Sequence, residues 1–116
     1  MVVSKPAIII YTSDPDEDLL REICAGIEEE GVLYQIAAHE GDLDTLAYDA
    51  ASESMLGSGI GICGARAAMM MQRLPKGNNV FELDHPLFRQ CRNLGANSAR
   101  AIKKMPFKPV TGESER

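Results

Sequence analysis

Positive charge is nearly absent from the first half of this chain. Residues 1–64 hold only Lys5 and Arg21 against thirteen acidic residues, a balance of −11. Residues 65–116 reverse the sign, with ten basic against four acidic residues, +6. The net charge of −5 lacks the basic footprint of a nucleic-acid binder. Such a division reflects distinct surface patches, and patches govern partner choice and on-rate. Cysteine is equally sparse. Cys24, Cys63 and Cys91 are odd in number and widely spaced, none forms a Cys-x-x-Cys pair, and neither His39 nor His85 stands at zinc-ligand spacing from them. That excludes a disulfide framework and a recognisable zinc site; buried free thiols in a reducing compartment are expected. No run approaches the roughly 18 apolar residues of a membrane span, and Met1–Pro6 does not resemble a signal peptide. Internal repeats, linkers and low-complexity segments are also missing. The expectation is a soluble, cytoplasmic protein without nucleic-acid or membrane partners. A chain of 116 residues makes one domain and buries roughly two thirds of its unfolded surface without staples.

What is present reads as alternating strands and helices. Ala7-Ile8-Ile9-Ile10-Tyr11 is a β-branched apolar run suited to a strand buried on both faces. Asp14 is expected to cap a first helix with Pro15 at its first position, its core stripe being Leu19, Leu20, Ile23, Cys24 and Ile27, and Gly31 its stop. Val32–Ala38 is a second strand. Asp42 caps a second helix with Leu43, Leu46, Ala47, Ala50, Ala51 and Met55 inward. Gly59–Cys63 is a third strand, which gives the β-α-β-α-β order of a mostly parallel sheet. Ala65–Leu74 is ambiguous: Ala67, Ala68 and Met69–Met71 favour helix by propensity, yet methionine runs also fill buried strands. Pro75–Asn79 is a turn and Val80–Leu83 a last strand. Asp84-His85-Pro86 then caps a long helix with Leu87, Cys91, Leu94 and Ile102 inward and Arg89, Arg92, Arg100, Lys103 and Lys104 largely outward. Pro106 ends it. A single domain over 1–107 with a disordered tail over 108–116 is expected.

Gly59-Ile60-Gly61-Ile62-Cys63-Gly64 matches G-x-G-x-x-G, but a dinucleotide site needs these glycines in a turn that opens a helix. Here they read as strand residues, where glycine lets another backbone approach. No nucleophile, base and acid stand at a recognisable spacing. Two other motifs carry more. Gly26-Ile27-Glu28-Glu29-Glu30-Gly31 closes a helix with three carboxylates at the negative end of its dipole, an unfavourable placement. Steps of 100° put Glu29 opposite the apolar stripe, beside Glu22, Ala25 and Asp18. Ala25 and Gly26 lie on or near that face, thin enough for another subunit to come close. Either this is a solvated acidic face or a surface for a basic partner or a metal; Mg²⁺ or Ca²⁺ would need further oxygen ligands. In the last helix Arg92, Asn93, Asn97 and Arg100 present fork and amide donors suited to carboxylates or phosphates, and Gly95 and Ala96 thin its surface. A plain basic face is the alternative there.

The glutamate motif followed by Val32, the Arg-Asn-x-Gly-x-Asn-x-Ala-Arg pattern of Arg92–Arg100, and Met105-Pro106-Phe107 after Lys103-Lys104 together resemble the small subunit of diol/glycerol dehydratase-reactivating factors. The Gly59–Cys63 strand fits the same scheme, and the resemblance runs from about Ala7 to Phe107. It implies a three-layer α/β/α sandwich of the anticodon-binding-domain-like type, with a mostly parallel sheet and one antiparallel strand, which would be the segment around Ala67–Arg73. It implies a non-catalytic, chaperone-like subunit paired with a large, Hsp70-like ATPase subunit that holds the ATP. The complex would release damaged cobalamin from inactivated adenosylcobalamin-dependent dehydratase by subunit exchange, in the cytoplasm or a bacterial microcompartment within it. Glu29 matches the family glutamate that helps hold a divalent metal, Mg²⁺ here, at the interface with the ATPase subunit. Glu22, Ala25, Gly26 and Glu28 would surround it, with Arg92, Asn93, Asn97 and Arg100 as further contacts. Family members can carry histidine where this chain has Cys91. The rival readings are a structural subunit of the dehydratase itself and a small nucleotide-binding domain using Gly59–Gly64.

Overall fold

The computed structural model describes residues 5–110. Its elements are β1 (Ile8–Ser13), α1 (Glu17–Glu29), β2 (Tyr34–Ala38), α2 (Leu43–Glu53), β3 (Ser58–Cys63), β4 (Arg66–Met71), β5 (Phe81–Asp84) and α3 (Phe88–Lys103). The sheet order is β2-β1-β3-β4-β5. β1 pairs in parallel with both β2 and β3, and β4 runs antiparallel to β3 and to β5. One strand is therefore reversed, and it is the methionine-rich segment. Burial overrides its helix propensity, because Ala67, Ala68, Met69 and Met70 are all fully enclosed between the two helical layers.

Strand alternation sorts the core into two sides. Ile8, Ile10, Ile60, Ile62 and Met69 meet α1 and α3, through Leu19, Ile23, Ile27 and Leu94. On the opposite face, Ile9 and Tyr11 meet Leu46 and Ala50, while Ala68 and Met70 meet Leu43, Ala47 and Ala51 of α2. The result is the expected α/β/α sandwich. Gly59 and Gly61 lie on the α2 side: a Cβ at Gly59 would stand 2.2 Å from the Ala51 nitrogen, and one at Gly61 2.6 Å from the Ala47 nitrogen. These glycines serve the close approach of α2. Gly64 (φ 60°) turns directly into β4 with no helix following, so the segment does not form a dinucleotide-binding turn.

Several boundaries differ from the sequence reading. β1 continues through Thr12 and Ser13, which pair with Ile62 and Cys63 of β3. Asp14 consequently sits in a left-handed turn (φ 46°), and Asp16 caps α1 instead by accepting from the Leu19 amide at 3.0 Å. Asp42 caps α2 as expected, but that helix ends at Glu53. The Ser54 hydroxyl donates to the Ala7 carbonyl at 2.7 Å, and Met55, beyond the helix end, is 58% exposed rather than inward. Asp84 belongs to β5 opposite Arg66, so α3 starts at Phe88 and Leu87 becomes an exposed flanking residue whose amide donates to Gln90 Oε1 at 2.7 Å. The expected tail boundary at 107 also falls short. Lys108–Val110 lie along α3 with Val110 buried; residues 111–116 lie outside the described residues.

Candidate partner interface

The two motifs of opposite charge meet each other. α1 and α3 pack side by side on one face of the sheet, and small residues bring their backbones together. A Cβ at Gly26 would lie 2.0 Å from the Arg92 carbonyl oxygen, and one at Gly95 2.0 Å from that of Ile23. Gly26 is therefore buried between helices of the same chain, not open to another subunit, and Gly95 and Ala96 are its counterpart rather than a thinned surface. Interhelical ion pairs follow from this approach. Arg92 donates to Glu22 Oε1 at 2.7 Å through NH2 and to Glu29 Oε2 at 2.8 Å through NH1. Arg100 Nε donates to Glu30 Oε2 at 3.1 Å, and Lys103 Nζ lies 3.3 Å from Glu30 Oε1 and donates to its backbone carbonyl at 2.7 Å. Glu22 first, then Glu29, push the Arg92 guanidinium above its ordinary value. Three basic side chains thus offset the unfavourable carboxylates at the α1 C-terminus.

Glu30 is the most enclosed of the triple, with 9% of its side chain exposed. Burial pushes its pKa up, but the hydrogen bonds from Arg100 and Lys103 outweigh that and hold the carboxyl below its ordinary value of 4.5. A depressed carboxylate stabilises the fold above its unfolded value, and that contribution is lost as pH falls through the folded one. In thermal melts from pH 6 to pH 3, the stability gap between wild type and Glu30→Gln is expected to narrow below about pH 4.5. Parallel curves would show that Glu30 carries no linkage.

The polar residues of α3 also serve this chain. Asn93 donates to the Pro109 carbonyl at 2.7 Å, Arg100 NH1 to that of Pro106 at 3.0 Å, and Gln90 to that of Val110 at 2.8 Å. Asn97, fully buried, both donates to the Lys108 carbonyl (2.8 Å) and accepts from its amide (2.7 Å). Expected at a partner surface, Asn97 is interior, and it straps residues 106–110 along the helix. What stays open is the acidic side of α1. Glu28 and Glu29 are exposed, Glu22 and Ala25 half-buried, and Glu28 accepts from the Tyr34 hydroxyl at 2.7 Å. Among the described residues no three His, Cys, Asp or Glu side chains converge as a metal site. Glu29 offers a single exposed carboxylate, to which Arg92 already donates.

Sequence reasoning missed a second polar cluster. His39 stacks on Tyr11 (centroids 4.2 Å apart, 8° between planes) and contacts Asp49 Oδ2 at 2.9 Å through Nε2. The Tyr11 hydroxyl donates to Glu53, and burial, followed by that carboxylate, raises its pKa. His39 borders an open depression of about 820 Å³ at the carboxyl ends of β1 and β2. The separations in sequence are too irregular to have signalled the cluster. All three cysteines are free, Cys24 and Cys91 buried and Cys63 half-buried. Burial foremost, with Glu22 adding, pushes the Cys91 thiol up to about 11, which keeps it protonated and unreactive. No described helix is long and apolar enough to cross a membrane.

Residues 5–108 match the family model described as dehydratase medium subunit. The diol dehydratase-reactivating factor small subunit of Klebsiella michiganensis is 35% identical over 113 residues, covering 96% of this chain and 90% of the relative. The propanediol dehydratase-reactivating factor small subunit of Salmonella typhimurium is 36% identical over 109 residues, covering 92% and 94%. Among solved structures, diol dehydratase-reactivating factor complexed with ADP and Mg²⁺ contains a chain that superposes with a TM-score of 0.85 at 35% identity, over 91% of this chain and 100% of that one. A glycerol dehydratase reactivase chain gives a TM-score of 0.86 at 26% identity, over 92% and 100%. With its sheet order, its reversed fourth strand and its helix pair all within these matches, the chain belongs to the dehydratase medium subunit family and, within it, to the small subunits of dehydratase-reactivating factors.

Proposed function

We propose that this chain is the non-catalytic partner of an Hsp70-like ATPase subunit, and that the pair releases damaged cobalamin from inactivated adenosylcobalamin-dependent dehydratase. The chain acts by exchanging with the enzyme's own medium subunit, whose fold it shares. The observation that carries this reading is whole-chain similarity to reactivating factors, with the reactivase chain covered from end to end. The exposed carboxylates of Glu28 and Glu29 form the docking end. Glu29 contributes one oxygen ligand to a Mg²⁺ completed by the large subunit, as Mg²⁺ is usually held by few protein carboxylates. ATP belongs to the large subunit.

Reconstitution tests the role. Inactivated dehydratase mixed with ATP, fresh adenosylcobalamin, this chain and the large subunit is expected to recover activity, and to stay inactive when either subunit is left out. Recovery without this chain would end the proposal. Glu29→Ala is expected to weaken binding to the large subunit about tenfold, equivalent to about 1.4 kcal/mol, with the melting temperature of the isolated chain little changed. EDTA should weaken the wild-type complex and leave the variant complex where it was. Equal sensitivity of both would remove Glu29 from the metal.

A further inference from the structure

The sheet has two edges, and only one is guarded. β5 is four residues long and carries Glu82 and Asp84, the short, charged edge that discourages pairing. β2, Tyr34-Gln35-Ile36-Ala37-Ala38, has no charge and no proline. Its register with β1, in which Ile8 donates to the Leu33 carbonyl and His39 donates to that of Thr12, turns the amides and carbonyls of Tyr34, Ile36 and Ala38 away from the sheet. Ile36 is 43% exposed, and Leu33, just before the strand, 61%. Beside the edge runs a groove of about 310 Å³ between β2 and α1, floored by Leu20, Cys24, Tyr34 and Ile36 and flanked by Glu17 and Glu28. Its cation, Arg21, is already held by Asp18 at 2.6 Å.

We infer that the outer edge of β2 takes an extended segment of a partner chain as a sixth strand, apolar where it meets Ile36 and Leu20 and basic where it meets Glu17 and Glu28. Strand addition to an open edge supplies main-chain affinity, and the adjoining groove supplies side-chain selectivity. A second copy of this chain is disfavoured, because it would bring a net charge of −5 and its own Glu17 and Glu28 to the same place. Glu28 lines the groove and Glu29 is its neighbour in sequence, so the strand is assigned to the chain that docks on the α1 end. The inference rests on the reading above that this partner is the large subunit.

Hydrogen exchange on the complex of the full chain with the large subunit tests it. The Ile36 and Ala38 amides are expected to exchange freely in the isolated chain and at least tenfold more slowly in the complex. Ile36→Pro removes an outward amide that edge strands can forgo. It is expected to retain its circular dichroism and to bind the large subunit at least tenfold more weakly. If the complex forms with unchanged exchange at Ile36 and Ala38, strand addition is overturned while docking stands; the exchange result decides even if the proline variant does not fold. If the isolated chain dimerises with both amides protected, a second copy is the occupant and the partner strand is refuted. If the wild-type chain does not bind the large subunit, the docking reading itself fails, and this inference with it.

Discussion

Replacing Gly95 with alanine is expected to lower stability by about 3 kcal/mol, more than any surface substitution in the chain. The added Cβ would meet the Ile23 carbonyl oxygen at 2.0 Å and its carbon at 2.9 Å. Both are backbone atoms of a helix, so nothing swings aside; α1 and α3 must separate, and the Glu22–Arg92 and Glu30–Arg100 pairs lengthen with them. Alanine's better helix propensity returns about 1 kcal/mol, too little to reverse the sign. For a domain of this size the melting temperature should fall by roughly 10 °C. Gly26→Ala attacks the same contact from the other side, so the double variant should lose less than the sum. Gly31→Ala is the control. Its Cβ meets nothing within 4 Å but its φ is 74°, so only a backbone cost of about 1 kcal/mol is expected. A Gly95→Ala melting curve coincident with wild type would refute the tight interhelical contact.

Asn97→Ala carries the second large effect. Its amide is the sole side chain that both donates to and accepts from the strap among the described residues, and it is wholly buried. Two hydrogen bonds at about 1 kcal/mol each are lost. The cost stops near 2–3 kcal/mol because the Lys108 backbone can turn back to water once the strap lifts. Release of the strap also frees Pro106, Pro109 and Val110 from Arg100, Asn93 and Gln90. Chymotrypsin should then cleave after Phe107 much faster than in wild type. Asn97→Asp keeps the acceptor but faces the Lys108 carbonyl with a carboxylate, so it should be no better than alanine. Wild-type cleavage rates in both variants would mean that the strap is held by other contacts.

Much of this molecule is legible in its sequence. The triple isoleucine of β1, the Asp42 cap and the Leu43–Ala51 stripe identify their elements because burial on a sheet or along a helix imposes a period on apolar residues. The glycines at 59 and 61 were readable as sites of close approach. Motif spacing went further and carried the family resemblance, the reversed fourth strand included. Errors clustered where a distant partner extends or trims an element. Thr12 and Ser13 join β1 only because β3 lies beside them, and Met55 is outside only because Ser54 ties the chain to Ala7.

The charge asymmetry was plain in the sequence, and so were the small residues in two helices. Their meaning was not. Glu22, Glu29 and Glu30 stand some 70 positions from Arg92 and Arg100, and no local pattern states that such groups will face each other. Composition and periodicity therefore determined the alternation of strands and helices, the Asp42 cap and the opposed charges of this protein. Tertiary structure decided that the opposed charges neutralise one another, that Gly26 and Asn97 are interior, and that the edge of β2 is left open. The physical reason is that periodicity reports which face of an element is buried, whereas only the packing of helices on the sheet determines against what.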